Sequence, residues 1–303
     1  DEKYRWRTRS LTHSHVDFNN FILIHNGSTL VMDEGFNRTS KAEVHNLITV
    51  DGTGCVGEKI WDEGELSDPA LLDLNSKGIY NVWKNVPKDA VSNVEDYSSG
   101  GGYTHIVGES SKMYYPEMEL TRNARHIINS EFGYFIIFDD LRSKMEHIYT
   151  WNIHSEKFAK KLENNKYGII NGNASLIIHT PFPDNSNKNI DETIIEEIMT
   201  PQRPNDKRII SLKTLKIENS KKEKNTSFVN VLVPNDLFEK DEVYINKIES
   251  HKQTGVEIQG KNHVEIFLFS CDGTINHKGE EIEGTWMSIV EDLNGKTIKK
   301  KIY

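Results

Sequence analysis

Short apolar runs, many alternating with polar residues, recur along the chain and are separated by Asn, Asp and Gly. A period of two marks half-buried strands, because successive side chains on an extended chain point to opposite faces. Residues 21–25 and 28–32 flank Asn26-Gly27, a pair suited to a two-residue hairpin turn. Residues 44–50 form another strand, ending at Asp51-Gly52. The continuous run Tyr134-Phe135-Ile136-Ile137-Phe138 reads as a buried strand closed by Asp139-Asp140, and residues 147–154 alternate again. A second Asn-Gly pair, Asn171-Gly172, joins 167–170 to 174–179. Later strands are expected around 209–217, 227–233, 256–258, 263–269 and 286–290. Helical periodicity is nearly absent, with 69–74 and 190–199 the candidate short helices. Ser98-Ser99-Gly100-Gly101-Gly102 reads as a flexible loop without a phosphate role, since no helix start follows it. The polar, charged residues 218–224 read as a hairpin tip.

Strands at short, regular spacing with turn residues between them predict an all-β fold, a large antiparallel β-sandwich with few short helices. Residues 1–235 form its body, and 236–303 are either its closing strands or a small appended β unit. Composition fits a soluble domain with a real core, at 36% hydrophobic and 27% charged. No apolar run approaches the roughly 18 residues that span a membrane. The net charge of −9 argues against general nucleic-acid binding. The chain opens on Asp1 without a Met or a signal peptide, as either a processed product or an excised piece of a longer chain does. Cys55 and Cys271 either pair or stay as buried thiols.

Candidate chemistry concentrates near the start. In Thr12-His13-Ser14-His15-Val16-Asp17 the two histidines point the same way on an extended chain. Asp33, before Glu34-Gly35, and His45, before Asn46, extend the set. Two or three histidines with one Asp suit zinc, with a fourth position open. The same residues also serve as strand-end histidines without a metal. A straight hairpin conflicts with a shared site, because closing at Asn26-Gly27 pairs His25 with Ser28 and sets Asp33 opposite Asn20. His15 then lies roughly 16 Å further along, at about 3.3 Å per residue, and on the other face. The site therefore requires a bulge, bend or strand break, most naturally within residues 17–20.

Ahead of this lies Lys3-Tyr4-Arg5-Trp6-Arg7-Thr8-Arg9. As a strand it sets Arg5, Arg7 and Arg9 on one face, either a solvated edge or a groove facing carboxylate or sulfate groups. Arg125 either touches substrate or, the preferred reading, pins a neighbouring strand. Tyr114-Tyr115 beside Pro116 either stack on sugar or pack. His147 and His154, seven apart, fall on opposite faces of a regular strand and form no local metal pair; the remaining histidines read as ordinary core or surface residues.

Several of these segments together resemble one known family. His13-Ser14-His15-Val16-Asp17, the Gly27 turn, Asp33-Glu34-Gly35 and His45-Asn46 through Val50-Asp51-Gly52 are similar to the C-terminal β domain of heparinase II/III-like polysaccharide lyases. So are Arg125-His126, the run from Tyr134 through Asp139-Asp140-Leu141, His147-Ile148-Tyr149 with Trp151 and His154, and Phe228-Val229-Asn230-Val231-Leu232-Val233-Pro234. The segments run in order over about the first 235 residues. The resemblance implies a supersandwich-like fold and cleavage of acidic polysaccharide by β-elimination. It implies zinc at His15, Asp33 and His45, and His13 at the catalytic cleft. The family's other catalytic groups sit in an N-terminal α/α toroid, which nothing in this chain resembles. The chain thus looks like the β half of a two-domain enzyme, with that toroid as its partner.

Three functions follow as alternatives. In a lyase, elimination from a uronic acid needs carboxylate neutralisation, a base at C5 and an acid for the leaving oxygen. His13 can act as base or as a carboxylate-facing donor. Zinc is then most simply structural, clamping the strands that present His13. The second alternative is a non-catalytic carbohydrate-contacting or structural β domain when the chain is alone. The third is a zinc hydrolase, with an open metal position and Asp17 or Glu34 as base. The substrate class places the protein outside the cytoplasm: extracellular, cell-surface or periplasmic.

Overall fold

The computed structural model describes residues 17–33, 42–55, 90–163, 165–200, 203–236, 243–250, 252–270 and 272–302. Among them the chain forms strands β1 (Leu23–His25), β2 (Ser28–Val31), β3 (Ile48–Val50), β4 (Asn93–Gly100), β5 (Tyr103–Glu109), β6 (Leu120–Ser130) and β7 (Phe135–His147). There follow β8 (Tyr149–Ser155), β9 (Phe158–Glu163), β10 (Lys166–Asn171), β11 (Ala174–Phe182), β12 (Ser186–Thr200), β13 (Arg203–Asn219) and β14 (Glu223–Asp236). The last are β15 (Tyr244–Glu249), β16 (Gln253–Gln259), β17 (Val264–Ser270), β18 (Thr274–His277), β19 (Glu280–Glu283), β20 (Trp286–Glu291) and β21 (Thr297–Ile302). Helix among the described residues is limited to short 3-10 turns, including Ala42–Val44.

The strands make a layered antiparallel sandwich. The central layer has eight strands in the order β4-β5-β6-β7-β14-β11-β10-β9. One face of it packs on a four-stranded sheet, β12-β13-β8-β3, and the other on a five-stranded sheet, β15-β16-β17-β20-β21. Both faces of the centre are therefore apolar. On β14, Phe228 and Leu232 join the first core with Trp151, Ile153 and Leu215, whereas Val229, Val231 and Val233 join the second with Phe267, Phe269 and Trp286. Each fully buried side chain of this size contributes roughly 1.5–3 kcal/mol. The second core also holds a carboxyl group. Glu265 of β17 is wholly buried and accepts hydrogen bonds from the Tyr103 and Tyr134 hydroxyls and from Ser130 Oγ at 2.9 Å.

Both Asn-Gly hairpins form as expected. Asn26 and Gly27 take φ of +47° and +74°, so His25 pairs with Ser28, and Asn171 pairs with Ala174 across the second turn. Three expectations are corrected. β7 does not stop at Asp139-Asp140 but continues to His147, because each carboxylate meets an arginine on its own face: Arg125 for Asp139 and Arg142 for Asp140. Residues 190–199 are strand, not helix, since β12 pairs with β13 all the way from Ser186↔Asn219 to Thr200↔Arg203. Its β-branched Ile and Thr residues favour that extended pairing. Ser98-Ser99-Gly100 end β4, and only Gly101 and Gly102 turn into β5, so that segment is a tight hairpin. Residues 69–74 and Cys271 lie outside the described residues. Cys55 is buried, and its backbone bridges to Tyr114.

Candidate functional site

The site is assembled where the β1–β2 hairpin meets β8 and the turn after Ala42–Val44. Residues 17–20 do not run straight into the hairpin. Asn20 N–H bonds back to the Asp17 carbonyl at 3.0 Å, and Asn19 adopts a left-handed φ of +63°. Asparagine tolerates that conformation better than most residues. The hairpin itself carries an irregularity between Leu23 and Ile24. Both features break the straight geometry that would have opposed a shared site.

Asp33 follows β2, which is held to β8 by the Met32 N–H donating to the His154 carbonyl at 3.0 Å. The expected proximity to Asn20 is present: Asn20 Nδ2 donates to Asp33 Oδ2 at 2.9 Å. His45, wholly buried, follows the 3-10 turn and places Nδ1 3.5 Å from that same carboxylate oxygen. An imidazole nitrogen and a carboxylate oxygen at this separation suit a hard or borderline cation such as zinc. His13, His15, Arg5, Arg7, Arg9 and Glu34 lie outside the described residues. Asp17 is exposed at the turn and has no described contact with Asp33 or His45. Among the described residues no group of three or more His, Cys, Asp and Glu side chains is spaced to hold a metal.

The support beneath this pair is an amide and guanidinium network, of which only the Arg125 guanidinium was expected from the sequence. Asn46 receives the Asn20 side-chain carbonyl on its backbone N–H at 2.9 Å. Its own amide donates to the Phe21 and Met32 carbonyls at 2.7 and 2.9 Å and accepts from the His154 N–H at 2.7 Å. Arg125, 2% exposed, donates two bonds to Asp139 at 2.7 and 3.2 Å and one to the Asn19 carbonyl at 2.8 Å, and it also reaches the Asn46 carbonyl. It is thus the expected pin, and what it pins are the two loops that carry Asn20 and His45. Burial raises the Asp139 carboxyl above its usual range, and Arg125 opposes that rise. Gly108 lets Asn19 approach: a Cβ there would lie 2.1 Å from Asn19 Oδ1, where the amide now bonds the Gly108 carbonyl at 3.1 Å.

His154 completes the floor. Burial pushes its imidazole down to about 3, so the ring is neutral near pH 7. The His45 carbonyl at 3.0 Å can only accept, which assigns the proton to His154 Nε2 and leaves Nδ1 to accept from Thr214 Oγ1 at 2.7 Å. His147 has separate partners, Asp51 at 2.8 Å and the Met118 carbonyl at 2.8 Å. Tyr114 is packed, with its hydroxyl on the Ile48 carbonyl at 2.5 Å. The neighbours of Arg125 and Asp139 in sequence, His126 and Asp140, face the other side of the central sheet. There His126 meets His105, Nδ1 to Nε2, at 3.2 Å.

Comparison with known proteins gives this architecture a context. The chain is similar in fold to a mutant of the heparan sulfate lyase HepC from Pedobacter heparinus, with a TM-score of 0.57 at 12% identity, covering 91% of this chain and 37% of that one. A heparinase III gene product with methylated lysines matches with a TM-score of 0.56 at 12% identity, over 93% of this chain and 36% of its own. A further heparinase III structure gives 0.52 at 12% identity, over 94% and 37%. The chain therefore spans a little over a third of the length of these structures. Among curated proteins none matches the sequence. The model of the family described as Heparinase II/III-like, C-terminal, matches residues 6–231, most of the chain, and this chain belongs to that family.

Proposed function

We propose that this chain is the β-sandwich part of a polysaccharide lyase that cleaves a uronic-acid-containing polymer by β-elimination. The observation that carries the reading is the Asp33–His45 pair at 3.5 Å, held by Asn20, Asn46 and Arg125 directly after a turn that redirects the preceding chain. His15 is the third member of this donor set, and zinc bound there clamps the strand ends together. The chain's own residues then do the chemistry of positioning. His13, two residues from His15, faces the cleft and takes the C5 proton or holds the substrate carboxylate. The C4–O bond breaks as the C4–C5 double bond forms, and the leaving oxygen takes up a proton. Arg5, Arg7 and Arg9 offer guanidinium groups to the acidic polymer. An N-terminal α/α domain is the proposed partner. Heparan-type and alginate-type polymers are both candidate substrates, one structural relative being named a heparan sulfate lyase, and such polymers place the enzyme outside the cytoplasm. No helix of the described residues is long and apolar enough to cross a membrane.

The ligand claim is tested by metal content. His15→Ala should lose bound zinc, and unchanged zinc content overturns the assignment. The reaction is tested by the absorbance of unsaturated uronate, with this chain alone and joined to an N-terminal half, on heparan-type and alginate-type polymers. Product without a double bond indicates a hydrolase instead. The coverage of little more than a third of the relatives favours a second reading, that the isolated chain binds carbohydrate without cleaving it.

A further inference from the structure

A second polar site lies on the opposite face of the central sheet, back to back with the first. Alternation along β6 and β7 sends Arg125 and Asp139 toward His45, and sends His126 and Asp140 the other way. There they line a cleft of about 490 Å³ between the central and five-stranded sheets. This size, and a position between two packed layers, is typical of small-molecule sites. Its apolar wall includes Phe138, which stacks on Phe269 at 4.0 Å, and Trp286, whose ring centre lies 4.6 Å from that of His105.

The polar wall pairs donors with acceptors. Arg122 Nη1 lies 2.7–2.9 Å from the Glu95 carboxylate, and Arg142 donates to both Asp140 oxygens at 2.9 and 2.7 Å. Asp96 Oδ2 stands 3.6 Å from His105 Nδ1, with the Asp96 side chain 52% exposed. Burial lowers the two imidazoles to about 4 and about 3, so both rings are neutral, and their mutual bond occupies the N–H of one and the lone pair of the other. Three lining carboxylates against two guanidiniums leave the cleft slightly acidic. A uronate or sulfate is repelled by that balance. Vicinal hydroxyls, each both donor and acceptor, match adjacent carboxylate and guanidinium groups beside an aromatic wall. We infer that this cleft binds an uncharged sugar ring, separately from the Asp33–His45 site. Asp140 and Arg142 also line a neighbouring polar groove of about 660 Å³, which gives room for a further sugar unit.

The test titrates the 303-residue chain with methyl glucoside, N-acetylglucosamine and glucuronate, using calorimetry and saturation-transfer NMR. At least one of the two neutral sugars should bind with a millimolar constant, and glucuronate at least about tenfold more weakly. Asp96→Ala and Glu95→Gln, both partly exposed, should each weaken the neutral sugar about fivefold or more, and Thr285→Phe, which fills the cleft, should abolish binding. All three should keep the wild-type melting temperature. Asp33→Ala should leave sugar binding unchanged, so failure of the lyase reading and failure of this one are distinguishable. The inference is overturned if neither neutral sugar binds, if glucuronate binds as tightly, or if folded cleft variants bind like wild type.

Discussion

At the scale of single residues, Arg125 carries the largest consequence. Four of its bonds fix two loops and a buried carboxylate, and the side chain is almost wholly removed from solvent. Arg125→Ala strands the Asp139 charge in the core, so unfolding by urea should show a loss of about 3–5 kcal/mol. Arg125→Lys should recover only part of it, because an ammonium cannot reproduce the bidentate fork. Buried histidines set the response to acid. His126 and His154 sit near 3 when folded and near 6.5 when unfolded, and both are under a tenth exposed. The unfolded chain therefore takes up protons first as pH falls below about 6.5, and stability declines from there toward pH 3. Each ring should cost on the order of 2 kcal/mol at pH 5. Denaturation midpoints at pH 7, 6 and 5 check this; a flat profile would count against neutral buried imidazoles. That Asn20 and His45 lie beside Asp33 was legible in the sequence, whereas the register shift between Leu23 and Ile24 was not. The roles of Asn46 and Asn19 were not, because an amide carries no periodic signal and its partners are backbone groups fixed only by tertiary contact.

Among the elements, legibility followed burial. The runs that became β7, β8, β10, β11, β14 and β17 fill apolar cores and were visible. β4, exposed at nearly every position, and β21, Thr-Ile-Lys-Lys-Lys-Ile, lie at sheet edges where nothing selects an alternating pattern. β6 was obscured for another reason: it carries polar residues to both faces, Arg125 to one site and His126 to the other. β12 misled because Ile190, Ile194 and Ile198 recur every four residues, a spacing that also suits a helix face. It forms a ribbon with β13 that outruns its sheet, since β8 adjoins β13 only from Lys213 to Glu218. Replacing residues 196–209 by Asn-Gly would close the ribbon at the Ile195–Ile210 pair with a two-residue turn. The melting temperature should then move by less than about 3 °C; a larger fall would mean that the ribbon stabilises the rest of the chain.

Across the whole molecule, the third layer was the least legible feature, because the sequence gives strands but not which face of which sheet they cover. Its attachment is partly polar. Glu265→Ala would leave the hydroxyls of Tyr103, Tyr134 and Ser130 without their shared acceptor, at about 1–3 kcal/mol for each group left unsatisfied. Glu265→Gln keeps an acceptor and should lose less. Chemical denaturation of both variants gives the comparison, and equal stability would show that the carboxyl is dispensable. The layered centre also has a cost in time. β7 pairs with β14 across about ninety residues, Phe138 opposite Val229. At roughly 5–20 residues per second of ribosomal synthesis, the Phe-Ile-Ile-Phe edge of a nascent chain waits about 5–18 s for its partner. Such an open edge is a template for any neighbouring strand, so the newborn chain needs a chaperone's cover most between the emergence of β7 and that of β14.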